Sequence, residues 1–383
     1  MKIKNSILLI ASALLLAGCG DVSSESSTPS GSDTPTTSVD TRPDYEKGEQ
    51  KEVLGTGLMF TESLGYNTKD ASIFDEGNVR YVVYDSNEVS KGEQVFAARK
   101  ATKVDGKWVY QEKHVILKGG TTWDKYIYQP SVVKGSFKLG DETYSYLMAY
   151  QGNAEVGNYH NHIGLAVSKD VLSGWVKVGN APILENPEIY SGSFGYGSPS
   201  LVSIDKAGKV LLSYAFGETQ LSGTRIKQID ASDLDNLKVE AGYSELPCAG
   251  LIGRDDNVVT NATLSFFDDY SGVVLANDGM PSSNAPGNAR SFEIAKANSE
   301  IISSASETWT SVKKVTGNDT IDYDDDSSLG WDELYSPAIV TDAYGLLAND
   351  ATKLEVCYST YQEGVTDANY TASLCLIEVI LGE

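Results

Sequence analysis

The chain has 383 residues, and its 30 Lys and Arg against 53 Asp and Glu give a formal net charge of −23. So acidic a chain is not expected to bind nucleic acid through a basic, phosphate-neutralising surface. Its three His and four Cys disfavour zinc clusters and a disulfide framework, and its length fits one large all-β domain or two smaller domains.

The first 18 residues have the pattern of an export signal. A basic pair precedes an uncharged run from Ile7 to Ala17 that is too short to span a bilayer. The run ends in Leu-Ala-Gly-Cys, which resembles the lipobox of bacterial lipoproteins; the alternative is a chance Cys after an apolar run. The resemblance implies that residues 1–18 are removed, that Cys19 carries lipid, and that the protein is exported and membrane-anchored. Gly20 at the next position favours the outer membrane or cell surface over the inner membrane.

Residues 19–52 are rich in Ser, Thr, Pro and Gly and contain almost nothing apolar. Such a segment buries too little surface to offset the entropy of ordering it, so we predict a disordered tether. Residues 53–383 then form the folded part.

A short element recurs five times in residues 53–383 and carries the main fold signal. It begins at Asp70, Gln129, Ser198, Asn261 and Ser336, as in Asp-Ala-Ser-Ile-Phe and Ser-Pro-Ser-Leu-Val. Each copy is followed by a second and a third strand-like run, and three units add a Trp-marked fourth: Trp108, Trp175 and Trp309. We predict an all-β fold, a five-bladed β-propeller with four-stranded blades. Chance alternation in a β-sandwich is the alternative.

The two ends of the repeat array predict how the ring closes. The fifth unit runs out of chain after its third strand, while the strand-like run Val53 to Phe60 precedes the first unit. We therefore predict that this N-terminal strand completes the last blade. Cys357 and Cys375 fall on consecutive strands of that blade, which leaves two possibilities open, a disulfide or a pair of buried thiols.

Two units resemble the propellers of glycoside hydrolase family 43 and its relatives, the arabinanases, xylosidases and arabinofuranosidases. The likeness lies in Tyr-Ser-Tyr-Leu-Met-Ala-Tyr-Gln from Tyr144 and in Ser-Pro-Ser-Leu-Val-Ser-Ile-Asp-Lys-Ala-Gly-Lys from Ser198. It implies action on a polysaccharide or oligosaccharide by inverting hydrolysis, with carboxyl groups at the starts of the innermost strands.

The same resemblance places the general base on Asp70 and the other two carboxylates on Ser198 and Asn261. Neither Ser nor Asn can act as a general acid near neutral pH. Two alternatives therefore stay open. The protein is a hydrolase whose acid comes from an unmatched loop position, with Glu188 and Asp255 ranked highest, or it is a glycan-binding lipoprotein with a degenerate pocket.

Other residues on the expected pocket side are candidates for substrate binding. Gln129, Ser198, Asn261 and Ser336 occupy the repeat position of Asp70, and further candidates are His160, Arg254, Arg290 and Trp331. The Arg residues could bind a uronate or sulfate group, or simply pair with a neighbouring acid. Aromatic rings there could stack on sugars or fill the space between blades.

No metal site or cofactor is predicted. His160 and His162 lack a third ligand, and the acidic run from Asp322 to Ser327 lacks the Gly and distal Glu of an EF-hand, although a structural calcium ion is left open. The expected partners are a carbohydrate and, through the lipid, a membrane. A monomer without affinity for nucleic acid is expected.

Overall fold

The computed structural model describes residues 53–60, 66–89, 93–155, 159–186, 193–218, 221–253, 258–279, 289, 291–304, 306–316, 333–361 and 372–382. In them the chain forms five β-sheets, each with at least four strands. The sheets follow one another along the chain as the blades of a five-bladed propeller, as the repeat predicts.

The strands are numbered along the chain, and β1 (Val53–Leu58) precedes the first blade. Blade 1 contains β2 (Lys69–Glu76), β3 (Val79–Asn87), β4 (Gln94–Val104), β5 (Lys107–Tyr110) and β6 (His114–Lys118). Blade 2 contains β7 (Tyr126–Leu139), β8 (Glu142–Asn153), β9 (His162–Ser168) and β10 (Val176–Lys177). Blade 3 contains β11 (Gly195–Ser203), β12 (Lys209–Gly217), β13 (Ser222–Asp230), β14 (Lys238–Val239) and β15 (Ser244–Glu245).

Blade 4 contains β16 (Thr263–Phe267), β17 (Gly272–Asp278), β18 (Ser291–Asn298) and β19 (Thr310–Thr316). Blade 5 contains β20 (Glu333–Ile339), β23 (Lys353–Tyr361) and β24 (Ser373–Ile380). Between β20 and β23 the chain adds two short parallel strands to other blades: β21 (Thr341–Asp342) pairs with β2 of blade 1, and β22 (Leu346–Leu347) pairs with β16 of blade 4. Two 3-10 helices, Leu234–Asn236 and Ser299–Ile302, lie between strands. Within the described parts of the chain, no helix has the length and apolarity needed to cross a membrane.

The outermost strand of blade 5 comes from the beginning of the folded region. β1 pairs antiparallel with β24, Thr56 lying opposite Ile377, and the sheet order is β1-β24-β23-β20. The two ends of the array are thus hydrogen-bonded to each other in one sheet.

The hydrophobic core is divided into five layers, one between each pair of neighbouring blades. Successive side chains of a strand point to opposite faces, so each innermost strand contributes to two layers. Ile73, for example, packs toward blade 5, whereas Phe74 packs toward blade 2. This two-sided burial explains the near-continuous apolar runs of the repeat.

The hydroxyl at the third position of the repeat ties one blade to the next. Ser72 accepts a hydrogen bond from the N–H of Val132 at 3.0 Å, and Ser131 accepts one from Leu201 at 2.9 Å. In the next blade, Ser200 accepts from Leu264 at 3.3 Å. The small polar residue of the element is therefore a contact between blades.

A buried Arg joins the first blade to the last. Arg80 is 1% exposed, donates to Asp75 at 2.7 and 2.9 Å, and donates to Glu355 at 2.6 and 3.3 Å. Burial alone would lower the pKa of the guanidinium, but its hydrogen bonds to the two carboxylates outweigh that effect and raise it. The ring of Trp108 lies 4.4 Å from the guanidinium carbon and covers it.

Cys357 and Cys375 are both buried and are not joined by a disulfide, which decides between the two possibilities that the sequence left open. Cys375 lies opposite Tyr358, one residue away from Cys357, so the two side chains point to opposite faces of the sheet. Cys375 packs in the layer between blades 4 and 5, and Cys357 in the layer between blades 5 and 1. They are packed as small apolar side chains.

Candidate functional site

The first residues of the five repeat elements meet at one end of the propeller axis. Asp70, Gln129, Ser198, Asn261 and Ser336 line a pocket of about 320 Å³, together with the Ala, Pro and Thr residues that follow them. This volume is at the small end of the range for ligand pockets. Among the described residues that line it, Asp70 is the only one with a carboxyl group.

All five of these residues have a left-handed backbone, with φ between 45° and 53°. In four blades a register shift follows directly, for instance between Lys69 and Ser72 opposite β3, which marks a β-bulge. The left-handed conformation costs a non-glycine residue free energy on the order of 1–2 kcal/mol. The fold therefore needs further contacts to hold these residues in place.

Those contacts come from the second strand of the preceding blade. Its polar side chains accept the N–H of the next pocket residue: Asp85 accepts that of Gln129 (3.0 Å), Gln151 that of Ser198 (3.3 Å), Asp278 that of Ser336 (2.7 Å) and Ser359 that of Asp70 (2.8 Å). In blade 3 the equivalent residue is Ala215, which has no polar side-chain atom. We call Asp85, Gln151, Asp278 and Ser359 the support ring.

The sequence contains a signal for the support ring that our sequence interpretation did not use. The four residues lie at or near the ends of their strands, in Tyr84-Asp85, Tyr150-Gln151, Asn277-Asp278 and Tyr358-Ser359. Each is two positions after the residue opposite the third position of the repeat element. Asp278 is the last residue of β17 and is 4% exposed. Asp85, Gln151 and Ser359 were not expected near the site.

Asp70 is buried, with 5% of its surface exposed, and one of its oxygens is uncommitted. Lys69 Nζ lies 2.9 Å from Asp70 Oδ2 and neutralises part of the charge. Asp70 Oδ1 accepts no hydrogen bond from the described residues. A ligand hydroxyl or a water molecule in the pocket would find an acceptor there.

A second carboxyl group lies behind Asp70. Asp85 is fully buried, and burial first, then the charge of Asp70, raises the pKa of Asp85 well above its ordinary value, although Lys69 partly opposes this. Asp85 also accepts hydrogen bonds from Gln94 Nε2 at 2.9 Å and from the N–H of Gln129. Asp85 therefore retains a proton more readily than an isolated Asp does.

A polar chain crosses the pocket floor from Gln129 to Asp278. Gln129 Oε1 lies 2.9 Å from both the N–H and the hydroxyl of Ser198. The same hydroxyl contacts Asn261 Oδ1, and Asn261 Nδ2 donates to Asp278 Oδ2 at 2.5 Å. Ser336 Oγ, also on the floor, is buried without a hydrogen-bond partner among the described residues.

Two other sequence candidates lie away from this floor or are engaged elsewhere. His160 is not among the residues lining the pocket; its backbone N–H donates to Ser193 O at 3.0 Å. His162 accepts the N–H of Asn186 at 3.0 Å through Nδ1, and burial lowers its pKa. Among the described residues there is no group of three or more His, Cys, Asp or Glu able to hold a metal ion.

The remaining sequence candidates lie outside the described residues. They are the proposed acids Glu188 and Asp255, the binding candidates Arg254, Arg290 and Trp331, and the lipidation site Cys19. Another acidic residue, Asp124, lies within the described residues and is already hydrogen-bonded: Tyr150 donates to it at 3.0 Å and Lys177 at 2.5 Å.

Solved structures that share the architecture include several glycoside hydrolases. The catalytic domain of the Coprinopsis cinerea GH62 alpha-L-arabinofuranosidase aligns with a TM-score of 0.54 at 10% identity, over 88% of this chain and 98% of that one. The Podospora anserina alpha-L-arabinofuranosidase, solved with cellotriose, aligns at 0.52 and 10%, over 86% and 96%. A family 117 glycoside hydrolase from the marine bacterium Zobellia galactanivorans aligns at 0.53 and 12%, over 88% and 92%.

At these identities the likeness shows a shared fold and does not by itself assign a reaction. No protein-family model matches the sequence, and no curated protein is similar to it in sequence.

Proposed function

We propose that the protein acts on a polysaccharide or oligosaccharide by taking one sugar end into the axial pocket. The observation that carries this proposal is the pocket floor, where five polar side chains meet and Asp70 Oδ1 and Ser336 Oγ are buried without partners. Sugar hydroxyls supply the donors that such oxygens need. The glycosidase fold relatives, one of them solved with cellotriose, support the choice of a carbohydrate.

The first candidate reaction is inverting hydrolysis with Asp70 as the general base. A base must offer a free lone pair to the attacking water, and Asp70, which lines the pocket, has one oxygen without a hydrogen-bond partner among the described residues. Inversion also requires an acid about 6.5–9.5 Å from the base. Because Asp70 is the only carboxyl among the described residues lining the pocket, the sequence leaves Glu188 and Asp255 as the acids to test.

The second candidate function is glycan binding without hydrolysis. It is favoured by the ion pair between Lys69 and Asp70 and by the amide and hydroxyl groups of the four pocket residues that occupy the same repeat position as Asp70. Those groups bind sugar hydroxyls well but do not transfer protons at neutral pH.

Product release from a panel of arabinans, xylans, galactans and algal polysaccharides distinguishes the two candidates. We expect hydrolysis to release reducing ends with the wild type, to stop with Asp70→Asn, and to continue with Asp124→Asn, which changes a buried carboxylate outside the pocket. Binding without product release would support the second candidate. Neither binding nor release from any member of the panel would contradict both.

We further propose that Cys19 anchors the propeller to a membrane through lipid and that residues 19–52 act as a tether. The support is the lipobox-like sequence and the polar composition of the tether. Radiolabelled palmitate should be incorporated into the wild type and not into Cys19→Ala, and the variant should leave the membrane fraction. Equal labelling of both proteins would contradict the anchor.

A further inference from the structure

We propose that Asp278 is a positioning residue that fixes the hydrogen-bonding polarity of the pocket floor, so that the floor selects ligands that donate hydroxyl protons. Asp278 ends β17 and is 4% exposed. One of its oxygens accepts the backbone N–H of Ser336 at 2.7 Å, and the other accepts Asn261 Nδ2 at 2.5 Å. A single carboxylate thus contacts two pocket-lining residues, Asn261 and Ser336, from neighbouring blades. The proposal rests on the glycan-binding function given above.

The Asn261 amide has one orientation because of this contact. A carboxylate only accepts hydrogen bonds, so the amide must turn its nitrogen toward Asp278. Its oxygen, Oδ1, then faces the hydroxyl of Ser198. The polarity that Asn261 presents at the floor is therefore decided by a residue behind it.

The floor then has more acceptors than its own donors can satisfy. The Ser198 hydroxyl contacts Asn261 Oδ1 and lies 2.9 Å from Gln129 Oε1, and Gln129 is held in that orientation because Oε1 also accepts the Ser198 N–H. One hydroxyl hydrogen can serve only one of the two amide oxygens. The hydroxyl hydrogen goes to Asn261 Oδ1 and the Ser198 N–H to Gln129 Oε1, so each amide oxygen keeps a second lone pair. Asp70 Oδ1 and Ser336 Oγ, from residues that line the same pocket, accept no hydrogen bond from the described residues.

A surplus of buried acceptors favours a ligand that supplies donors. Leaving such an oxygen without a hydrogen bond costs about 1–3 kcal/mol, and a ligand hydroxyl removes that cost on binding. An ether or methylated hydroxyl at the same position cannot donate and would leave the cost in place. The inference is therefore a preference for unsubstituted hydroxyls on the sugar that enters the pocket.

Asp278→Asn should reverse this polarity. The Ser336 N–H belongs to the backbone and cannot turn round, so the oxygen of the new amide stays with it. Its nitrogen then faces Asn261 Nδ2, and two donors oppose each other. Rotation of the Asn261 amide relieves the conflict and turns Nδ2 toward Ser198, which replaces an acceptor at the pocket floor by a donor.

A readout that needs no ligand is the side-chain amide signal of Asn261 in ¹⁵N-asparagine-labelled protein, assigned by its loss in Asn261→Asp. In the wild type we expect one amide proton to be shifted downfield by the carboxylate. Asp278→Asn should abolish that shift, whereas Asp124→Asn, the matched change of another buried carboxylate, should leave it. An unchanged Asn261 signal in Asp278→Asn would overturn the proposal.

Binding of arabino-, xylo-, cello- and galacto-oligosaccharides by calorimetry provides the second arm. For a probe that the wild type binds, Asp278→Asn should weaken affinity about tenfold, as expected for one lost hydrogen bond. The double variant Asn261→Asp/Asp278→Asn restores an acceptor toward Ser198 and should recover most of the affinity. Weakening in Asp124→Asn to the same degree, or no recovery in the double variant, would overturn the proposal.

The two arms separate this inference from the proposed function. If no probe binds to the wild type, the glycan-binding function is contradicted, and the Asn261 signal still decides the role of Asp278. Should Asp278→Asn fail to fold, the double variant, which restores one carboxylate and one amide, still tests the orientation.

Discussion

Replacing Arg80 by Met tests how the ring is closed. Arg80 belongs to blade 1 and bridges Asp75 of the same blade and Glu355 of blade 5, with two hydrogen bonds to each carboxylate. Met has a similar length and no charge, so the variant removes the ion pairs while leaving most of the apolar packing against Trp108. Both acids stay behind without their cation.

The loss of stability in Arg80→Met depends on how deeply Asp75 and Glu355 are buried. Removing one partner of a buried ion pair destabilises a protein by about 3–5 kcal/mol. Here the side chains of Asp75 and Glu355 are 33% and 32% exposed, so water can partly rehydrate them and the cost is smaller. We expect a loss of about 2–4 kcal/mol, which for a domain of this size lowers the melting temperature by about 4–8 °C.

Urea and thermal unfolding followed by circular dichroism measure this loss. The control is Lys353→Met, which breaks a salt bridge of 3.1 Å to Glu378 between side chains that are 60% and 37% exposed, and which should cost less than about 1 kcal/mol. Adding Asp75→Asn and Glu355→Gln to the Arg80 variant removes the unpaired charges and should recover part of the stability. If Arg80→Met unfolds like the control, the buried ion pair does not stabilise the junction.

Three further predictions concern the fold. Deleting residues 53–60 removes the outer strand of blade 5 and should abolish cooperative unfolding, and a truncated protein that melts like the parent would refute this closure. Folding raises the pKa of Asp85, so the free energy that this carboxyl contributes to the stability of the fold is fully present below about pH 4. It is lost as the pH rises through the pKa of Asp85 in the folded protein. The stability of the wild type relative to Asp85→Asn should therefore fall as pH rises above about 4, and a difference independent of pH would contradict the assignment. Cys357 and Cys375 should react with a thiol reagent only after denaturation, and reductant should leave the melting temperature unchanged; a fall in melting temperature on reduction would indicate a disulfide.

The blade architecture could be predicted from the sequence because one element is repeated five times. Its first residue is always at the pocket, its third often carries a hydroxyl that ties neighbouring blades, and its fourth is apolar and buried, as Ile73 and Val132 are. Each position has one physical task, so the pattern survives in a single sequence. The same regularity allowed the five pocket-lining residues to be named together.

The support ring could not be predicted in the same way. Asp85 and Asp278 lie about 15 residues or more after the pocket residues of their own blades, and each accepts the backbone N–H of the pocket residue in the next blade. Sequence spacing does not show a contact across a blade boundary. The left-handed backbone at Gln129 and Ser336, which creates the need for that contact, is also invisible in residue types that do not favour it.

The ion pairs of the acidic residues could not be predicted from the sequence either. Asp124 precedes β7 in the chain, and the lysine that pairs with it, Lys177, lies 53 positions away. Lys69 is the sequence neighbour of Asp70, but the sequence does not show that the two side chains form an ion pair. Charge on a loop becomes informative only when its partner is known.

Calorimetric titration of the oligosaccharide panel into wild type and Asp70→Asn tests the central claim, that the pocket on the propeller axis is a glycan site. We predict that at least one glycan binds to the wild type and that Asp70→Asn weakens its affinity about tenfold or more, because an acceptor at the floor becomes a donor. Equal affinity in the two proteins, or no binding of any glycan, would contradict the claim.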